Sequence, residues 1–374
     1  MEGDRIPFKA YYGYSLAESM AAQISAVYPA FPSARFLAAI RAAIELLELK
    51  DRVAFLAAQL RACLPADYEA AVEILVATLG PELPDDGGMF SEGYHVLPIA
   101  QFVEDYGLNS FERSMDALYE ITKRNTAEFA IRPYLLRYPD ATLERLHGWA
   151  EDSNPHVRRL ISEGMRTRLP WAKRLDLFIA DPEPVIELLE KLKADSSLYV
   201  CRSVANNCND LSKDHPERIL VLMEAWRQAQ GPHTAFIVRH GLRTLTKAAD
   251  PRALALVGYA MTDAFSLEAL SLEPTVVGFN EPAQLAITLR NSSDIAIDAL
   301  IDYRIHFVRS RGEVTPKVFQ WKKVRLAAGE TTALTKTISF KPVSVRRYYA
   351  GSHQIDVRTN GQVLASAHLD LVMD

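Results

Sequence analysis

Cysteine is scarce in this chain. Three residues in 374, Cys63, Cys201 and Cys208, lie far apart or inside helical patterns. That excludes a disulfide framework, and we expect reduced thiols and a cytoplasmic protein. No stretch approaches the ~20 continuous apolar residues of a membrane span, so no membrane partner is expected. The N-terminus, MEGDRIPFKAYYGYSL, has neither the basic start nor the apolar run of a signal peptide. The histidines, His147, His156, His215, His233 and His240 among them, lack metal-ligand spacing. No Gly-rich phosphate loop and no nucleophile elbow occurs, so neither a metal nor a cofactor is expected.

Nor is there an excess of positive charge: the net charge is −5, which argues against a uniformly sticky polycation. The distribution is uneven, however. Residues 1–125 hold 10 Lys/Arg against 18 Asp/Glu, residues 126–250 hold 18 against 17, and residues 265–374 hold 13 against 11. A polyanion would therefore have to meet the middle and the C-terminal end. Hydrophobic residues at 49% and charged residues at 24% are ordinary for a soluble globular protein, and the length suggests two or three domains.

From Leu16 to about Thr262 the pattern is helical, in segments such as SARFLAAIRAAIELLE and HPERILVLMEAWRQAQ broken by Pro, Gly, Asn and Asp. From Phe265 it changes to short alternating runs, AQLAITLRNSS, ALIDYRIHFVRS and HQIDVRTNG among them, punctuated by Pro, Gly and Asn-Gly. We therefore expect a mostly α protein with a C-terminal β domain. Residues 1–264 would form a HEAT-like α-solenoid and residues 265–374 an immunoglobulin-like β-sandwich. The sandwich lacks the paired cysteines and core tryptophan spacing of antibody domains.

The solenoid reading rests on a repeat. Asp152-Ser-Asn-Pro-His-Val-Arg-Arg aligns with Asp195-Ser-Ser-Leu-Tyr-Val-Cys-Arg, and Phe236-Ile-Val-Arg-His-Gly-Leu-Arg follows as a third copy. Stacked helix pairs of this period leave a concave face formed by their second helices. Three polar stripes then share a register: Arg159, Glu163 and Arg166; Arg202, Asn206 and Asn209 with Asp210 beside them; Arg239, Arg243 and Lys247. Arginines, a lysine and asparagines along a curved groove suit a phosphate backbone. A blander reading has Arg159 and Arg202 bond an aspartate of the neighbouring repeat. That reading fits Asn206, Asn207 and Glu163 less well, since amides and a lone acid in that register do not help repeat packing, and a solvated salt-bridge ladder would put its charges on outward faces rather than in the groove. The cysteines read as core. Trp171, after Leu169-Pro170 at an expected helix start, reads either as core or as a residue projecting into the groove mouth.

These residues also carry a family resemblance. Ala117-Leu-Tyr-Glu-Ile-Thr-Lys-Arg-Asn-Thr-Ala-Glu-Phe-Ala-Ile-Arg-Pro-Tyr134 and Ser153 to Trp171, with its SEGMRTRLPW string, resemble the AlkC branch of the AlkC/AlkD-like bacterial alkylpurine DNA glycosylases. So do Ser203-Val-Ala-Asn-Asn-Cys-Asn-Asp210, Val238-Arg-His-Gly-Leu-Arg243 and the N-terminal YPAFPSARF. The resemblance covers roughly residues 8–260. It implies hydrolysis of the N-glycosidic bond of N3-alkylated bases, chiefly 3-methyladenine, in duplex DNA and without extrusion of the lesion, in contrast to most glycosylases. It places Glu128, Glu163, Trp171 and Asp210 at active-site positions. With the stripes it makes Arg159, Arg166, Arg202, Asn206, Asn207, Arg239, His240, Arg243 and Lys247 DNA contacts. The protein is expected to act as a monomer on double-stranded DNA containing alkylated bases, in the bacterial cytoplasm at the nucleoid. Cys208 departs from the family, which more often has an aliphatic residue there. The alternatives are a non-catalytic HEAT module that binds damaged or bent DNA, or a protein-binding scaffold, for which this groove is too polar. In the β domain, Arg309-Ser-Arg311, Lys317, Trp321-Lys322-Lys323, Arg325 and Arg346-Arg347-Tyr348-Tyr349 read either as edge-strand protection or as basic loops that reach around DNA.

Overall fold

The computed structural model describes residues 7–84, 93–228, 231–343 and 346–373. Two compact units divide the chain: residues 1–215 with 229–241, and residues 216–228 with 242–374. No helix among the described residues is long and apolar enough to cross a membrane.

The first unit is all helical. Its central layer sets the Leu198–Leu211 helix between Pro155–Gly164 and Thr234–Gly241. The Pro155–Gly164 helix starts where the sequence says it should. Asp152 Oδ1 accepts from the Asn154 amide at 2.8 Å, Asn154 Oδ1 accepts from the His156 amide at 2.9 Å, and Pro155 occupies the first turn. Its stripe of Val157, Leu160 and Ile161 is wholly buried, each side chain contributing roughly 1.5–3 kcal/mol of apolar transfer. Gly164 ends the helix at a crowded spot: a Cβ there would lie 2.6 Å from Ile131 Cγ2.

An arginine does bond the neighbouring repeat's aspartate, but it is Arg158. Its Nε and Nη2 meet Asp195 at 2.6 and 3.0 Å, and the same Asp195 accepts from the Ser197 amide at the next helix start. The bond the blander reading gave to Arg159 and Arg202 is made by Arg158 instead, whereas Arg159 pairs with Glu128 and Arg202 is exposed. The third polar stripe is not one helix. Thr234–Gly241 stops, Leu242 adopts φ −89° and ψ 7°, and Arg243 and Lys247 belong to the separate Arg243–Lys247 helix of the second unit. The expected helix start at Trp171 is also wrong, because residues 170–172 form a turn and the next helix is Asp176–Ala180. The cysteines are free and buried as core residues. Burial pushes the Cys201 thiol up to about 11, which leaves it unreactive.

The second unit carries the strands. β1 (Phe265–Glu273), β3 (Pro282–Asn291) and β6 (Thr331–Ser339) form one antiparallel sheet in the order β1-β3-β6. β2 (Val276–Gly278), β8 (Gln362–Val372), β7 (Gly351–Thr359), β4 (Ile297–Val308) and β5 (Val314–Leu326) form the other, with β2 parallel to β8. Alternation buries Leu285, Leu289, Ile301, Leu326, Ile355 and Leu369 between them, the layer arrangement of a sandwich. The basic residues are not all in loops. Lys317, Lys322, Lys323 and Arg325 lie within edge strand β5, where charge guards an unpaired edge, whereas Arg309 and Arg311 sit in the β4–β5 turn and Arg346 and Arg347 in the β6–β7 connection.

The β7–β8 turn binds this unit's own helices. Asn360, at φ 48°, accepts from the Leu300 amide at 2.7 Å and donates to the Ala260 and Asp298 carbonyls. Gly361 has φ +85°, and a Cβ there would meet Leu254 Cδ1 at 2.7 Å and Ala249 Cβ at 2.9 Å. Gly361→Ala is therefore expected to lower unfolding stability by about 2 kcal/mol through backbone strain and contact with Ala249. The check is urea unfolding followed by circular dichroism, and an unchanged midpoint would contradict this packing.

Candidate active site and nucleic-acid interface

Three carboxylates converge in the first unit. Glu163 lies in the last turn of Pro155–Gly164, Asp210 at the end of Leu198–Leu211, and Glu128 in the turn before Arg132–Arg137. All are buried, with 4%, 6% and 2% exposure for Glu128, Glu163 and Asp210. Buried carboxylates need partners, and arginines on the same helix face supply them. Arg166 Nη1 donates to Glu163 Oε1 at 2.6 Å while its Nε donates to Asp210 Oδ2 at 2.8 Å. Arg159 Nη2 lies 3.0 Å from Glu128 Oε2 and 3.8 Å from Glu163 Oε1. Lys213 Nζ meets Asp210 Oδ1 at 2.9 Å. The result is one chain of alternating charge, Glu128–Arg159–Glu163–Arg166–Asp210–Lys213, spanning three helices and a turn.

Burial alone raises a carboxyl's pKa. At Glu163 burial pushes that way, but Arg159 and Arg166, helped by a 2.5 Å hydrogen bond from Ser203 Oγ, hold it below the usual carboxylate range. Burial likewise opposes the charge on Arg159 and Arg166, and the acids overcome it, so both guanidinium groups are held more firmly protonated than usual. Arg159 also sits over the Tyr199 ring, 4.9 Å from its centroid. Glu163 and Asp210 use both oxygens in these bonds. Glu128 uses Oε2 alone, toward Arg159 and the Thr126 hydroxyl at 3.0 Å, and Oε1 has no hydrogen-bond partner among the described residues.

Trp171 lies on a clamped turn that follows Arg166 of this network. Arg132 donates to the carbonyls of Gly164, Arg166 and Lys173 at 2.9, 2.8 and 2.6 Å, tying together the segment that carries both Arg166 and Trp171. Its own burial pushes Arg132 down to about 10, far above any physiological pH, so the clamp stays charged. The Trp171 backbone takes φ 68°, a left-handed conformation costly for a bulky residue, and its carbonyl accepts from Lys50. The ring is 56% exposed. A strained backbone that holds a tryptophan in solvent favours the projecting reading over the core reading. Sequence reasoning missed Arg132, Ser203 and Tyr199; the IRP and CRSV strings contain two of them, but no spacing marks a clamp.

The expected DNA contacts separate into two groups. Arg159 and Arg166 face inward, bound to acids, and Asn207 is fully buried with its amide donating to the Ser162 carbonyl at 2.8 Å. Asn207 is thus a link between repeats, which corrects its placement on the DNA face: an asparagine does help solenoid packing here. Arg202 and Arg239 are exposed. Asn206 Oδ1 and His240 Nε2 are 3.0 Å apart, and the His240 ring stacks on Phe236. These four lie on the adjacent Leu198–Leu211 and Thr234–Gly241 helices. Arg243 and Lys247 belong to the other unit.

Three comparisons bear on what such a site belongs to. Residues 266–373 match the family model described as "Uncharacterised protein YhaZ, C-terminal Ig-like domain", which agrees with the sandwich. The chain is 37% identical over 358 residues to "Uncharacterized protein YhaZ" of Bacillus subtilis (strain 168), covering 95% of this chain and 96% of that one. It is 38% identical to Pseudomonas fluorescens alkylpurine DNA glycosylase AlkC, solved bound to DNA containing an abasic site analog; the match has a TM-score of 0.90 and covers 97% of this chain and 99% of that one. With more than a third of its residues identical over nearly the full length of both proteins, the chain belongs to the AlkC family of alkylpurine DNA glycosylases.

Proposed function

We propose that this glycosylase hydrolyses the N-glycosidic bond of N3-alkylated bases, chiefly 3-methyladenine, in duplex DNA, working at the nucleoid in the bacterial cytoplasm as a monomer. The observation that carries the reading is the gathering of Glu128, Glu163 and Asp210 beside the exposed Trp171. N3-methylation makes adenine cationic and a good leaving group, so strong acid catalysis is unnecessary. The barrier lies in a sugar that gains oxocarbenium character as the bond breaks. Fixed carboxylates stabilise that charge, and because Arg159 and Arg166 hold Glu163 below the usual carboxylate range, that acid need lose no proton first. The Trp171 face adds a cation–π contribution of order 0.5–2 kcal/mol against the sugar.

The water is assigned to Glu128. Its free Oε1 can accept a hydrogen bond from water without breaking an existing one, whereas Glu163 and Asp210 are fully engaged. Once the C–N bond has broken and the base has left as a neutral molecule, the water adds to the anomeric carbon, its proton passes to Glu128, and an abasic site remains. Lys213 lies near, but an ammonium donating to Asp210 has no lone pair for a Schiff base, which favours hydrolysis without strand cleavage. A non-catalytic, damage-binding module would have no use for three buried acids facing a polyanion.

Glu163→Gln or Asp210→Asn is expected to slow base release by roughly 10²-fold, about 2.7 kcal/mol of transition-state stabilisation, with little loss of DNA affinity. Chromatography of bases released from methylated DNA reads this, and full activity in both variants would sink the mechanism. The rate should also be insensitive to acid. Glu163 is held below the usual carboxylate range in the folded protein, so its charge and the stability it contributes persist through that range and are lost only as pH falls further. An acid limb near neutrality that disappears in Glu163→Gln would contradict the assignment. Arg202 and Arg239, exposed on neighbouring helices, are the proposed phosphate contacts. Replacing either with Ala should weaken binding to any duplex alike and reduce the salt slope by about one. A slope identical to wild type would remove that arginine from the interface.

A further inference from the structure

A cavity of about 480 Å³ opens in the first unit beside the acidic network. Its walls include Phe8, Leu97, Phe129 and Leu136, with Trp171 at one side, and the volume falls in the range of small-molecule sites. Two observations connect it to the chemistry. Thr126 lines the cavity, and its hydroxyl donates to Glu128 Oε2, which links the cavity wall to the carboxylate proposed to hold the water. Trp171 belongs to both places. A third observation offers a ligand contact: Glu104, on the Val96–Tyr106 helix, lines the cavity together with Lys50 and Arg132, whose charges act on its carboxyl although no hydrogen bond or ion pair reaches it among the described residues. Its oxygens are therefore open to hydrogen bonds from a ligand.

We propose that this cavity receives the alkylated nucleobase after its glycosidic bond is cut, with the planar ring between the aromatic and aliphatic walls and its amino edge on Glu104. The inference rests on the proposed base-release activity and names where the leaving group goes. An alkyladenine offers a flat apolar face and an edge with an exocyclic amino donor beside a ring nitrogen. A carboxyl group can accept from the first and, when protonated, donate to the second. Burial, with Asp105 adding repulsion, pushes Glu104 up to about 7, so both of its protonation states are accessible near neutral pH. Holding the base there delays its departure from the protein once the abasic site has formed, and it makes the free base a product inhibitor.

The test is calorimetric titration of the full-length protein with 3-methyladenine alone, run beside single-turnover base release from methylated DNA. Wild type should bind the free base saturably. Glu104→Leu should bind it at least tenfold more weakly, while releasing base in a single turnover at the wild-type rate. Ala100→Phe, which fills the cavity from the same helix, should do likewise, and circular dichroism confirms that each variant is folded. Base release without saturable binding up to millimolar 3-methyladenine, or equal binding by wild type and both variants, would overturn the cavity assignment and leave the glycosylase reading intact. Absence of base release from wild type would overturn both.

Discussion

The site depends on the bond pair made by Arg166, which joins Glu163 of one repeat to Asp210 of the next at 2.6 and 2.8 Å. A buried charge is expensive, and a buried ion pair commonly contributes little net stability, because desolvation consumes the Coulombic gain. Its value here is positional. Three acids would repel one another if buried alone; interleaved with Arg159, Arg166 and Lys213 they are paired and fixed in orientation. Removing one member leaves its neighbour charged and unpaired, so the network should respond as a unit rather than residue by residue.

Around that network the helical stack acts as a frame. Arg158 with Asp195 sets the spacing between repeats, Asn207 with Ser162 fixes their rotation, and Arg132 draws in the segment that carries Trp171. Positive charge therefore plays two roles in the first unit. Inward-facing arginines hold the acids, and Arg202 and Arg239 face outward, the proposed phosphate contacts. The sequence pattern shows the arginines but not the division between them, because one helical step, about 100°, turns a side chain from a neighbour to solvent.

Much of this was legible before any coordinates. Caps at Asp152 to Pro155, apolar stripes such as Val157–Leu160–Ile161, and the switch to alternation at Phe265 are local signals, and the helices and strands follow them. Glu163, Arg166 and Asp210 share a register that the repeat exposes, and the structure joins them. What stayed hidden depends on three-dimensional context. Nothing in Leu169-Pro170-Trp171 announces a left-handed tryptophan, because the strain is held by Lys50 and Arg132 from distant segments. The break at Leu242 comes straight after Gly241, but a glycine inside a continuing apolar pattern does not by itself announce a break, and this one moves Arg243 and Lys247 off the helix of Arg239. The strand boundary at Phe265 is also not the limit of the compact unit, since Asn360 and Gly361 pack against residues 249–260.

The central claim is that fixed carboxylates face a sugar that becomes cationic. The most direct measurement compares the affinity of wild type and Glu163→Gln for duplexes carrying a cationic pyrrolidine abasic analog or its neutral tetrahydrofuran counterpart. Wild type should prefer the cationic analog by tenfold or more, about 1.4 kcal/mol, and Glu163→Gln should lose most of that preference. Equal affinity of wild type for the two duplexes, or a preference that survives in Glu163→Gln, would contradict the account.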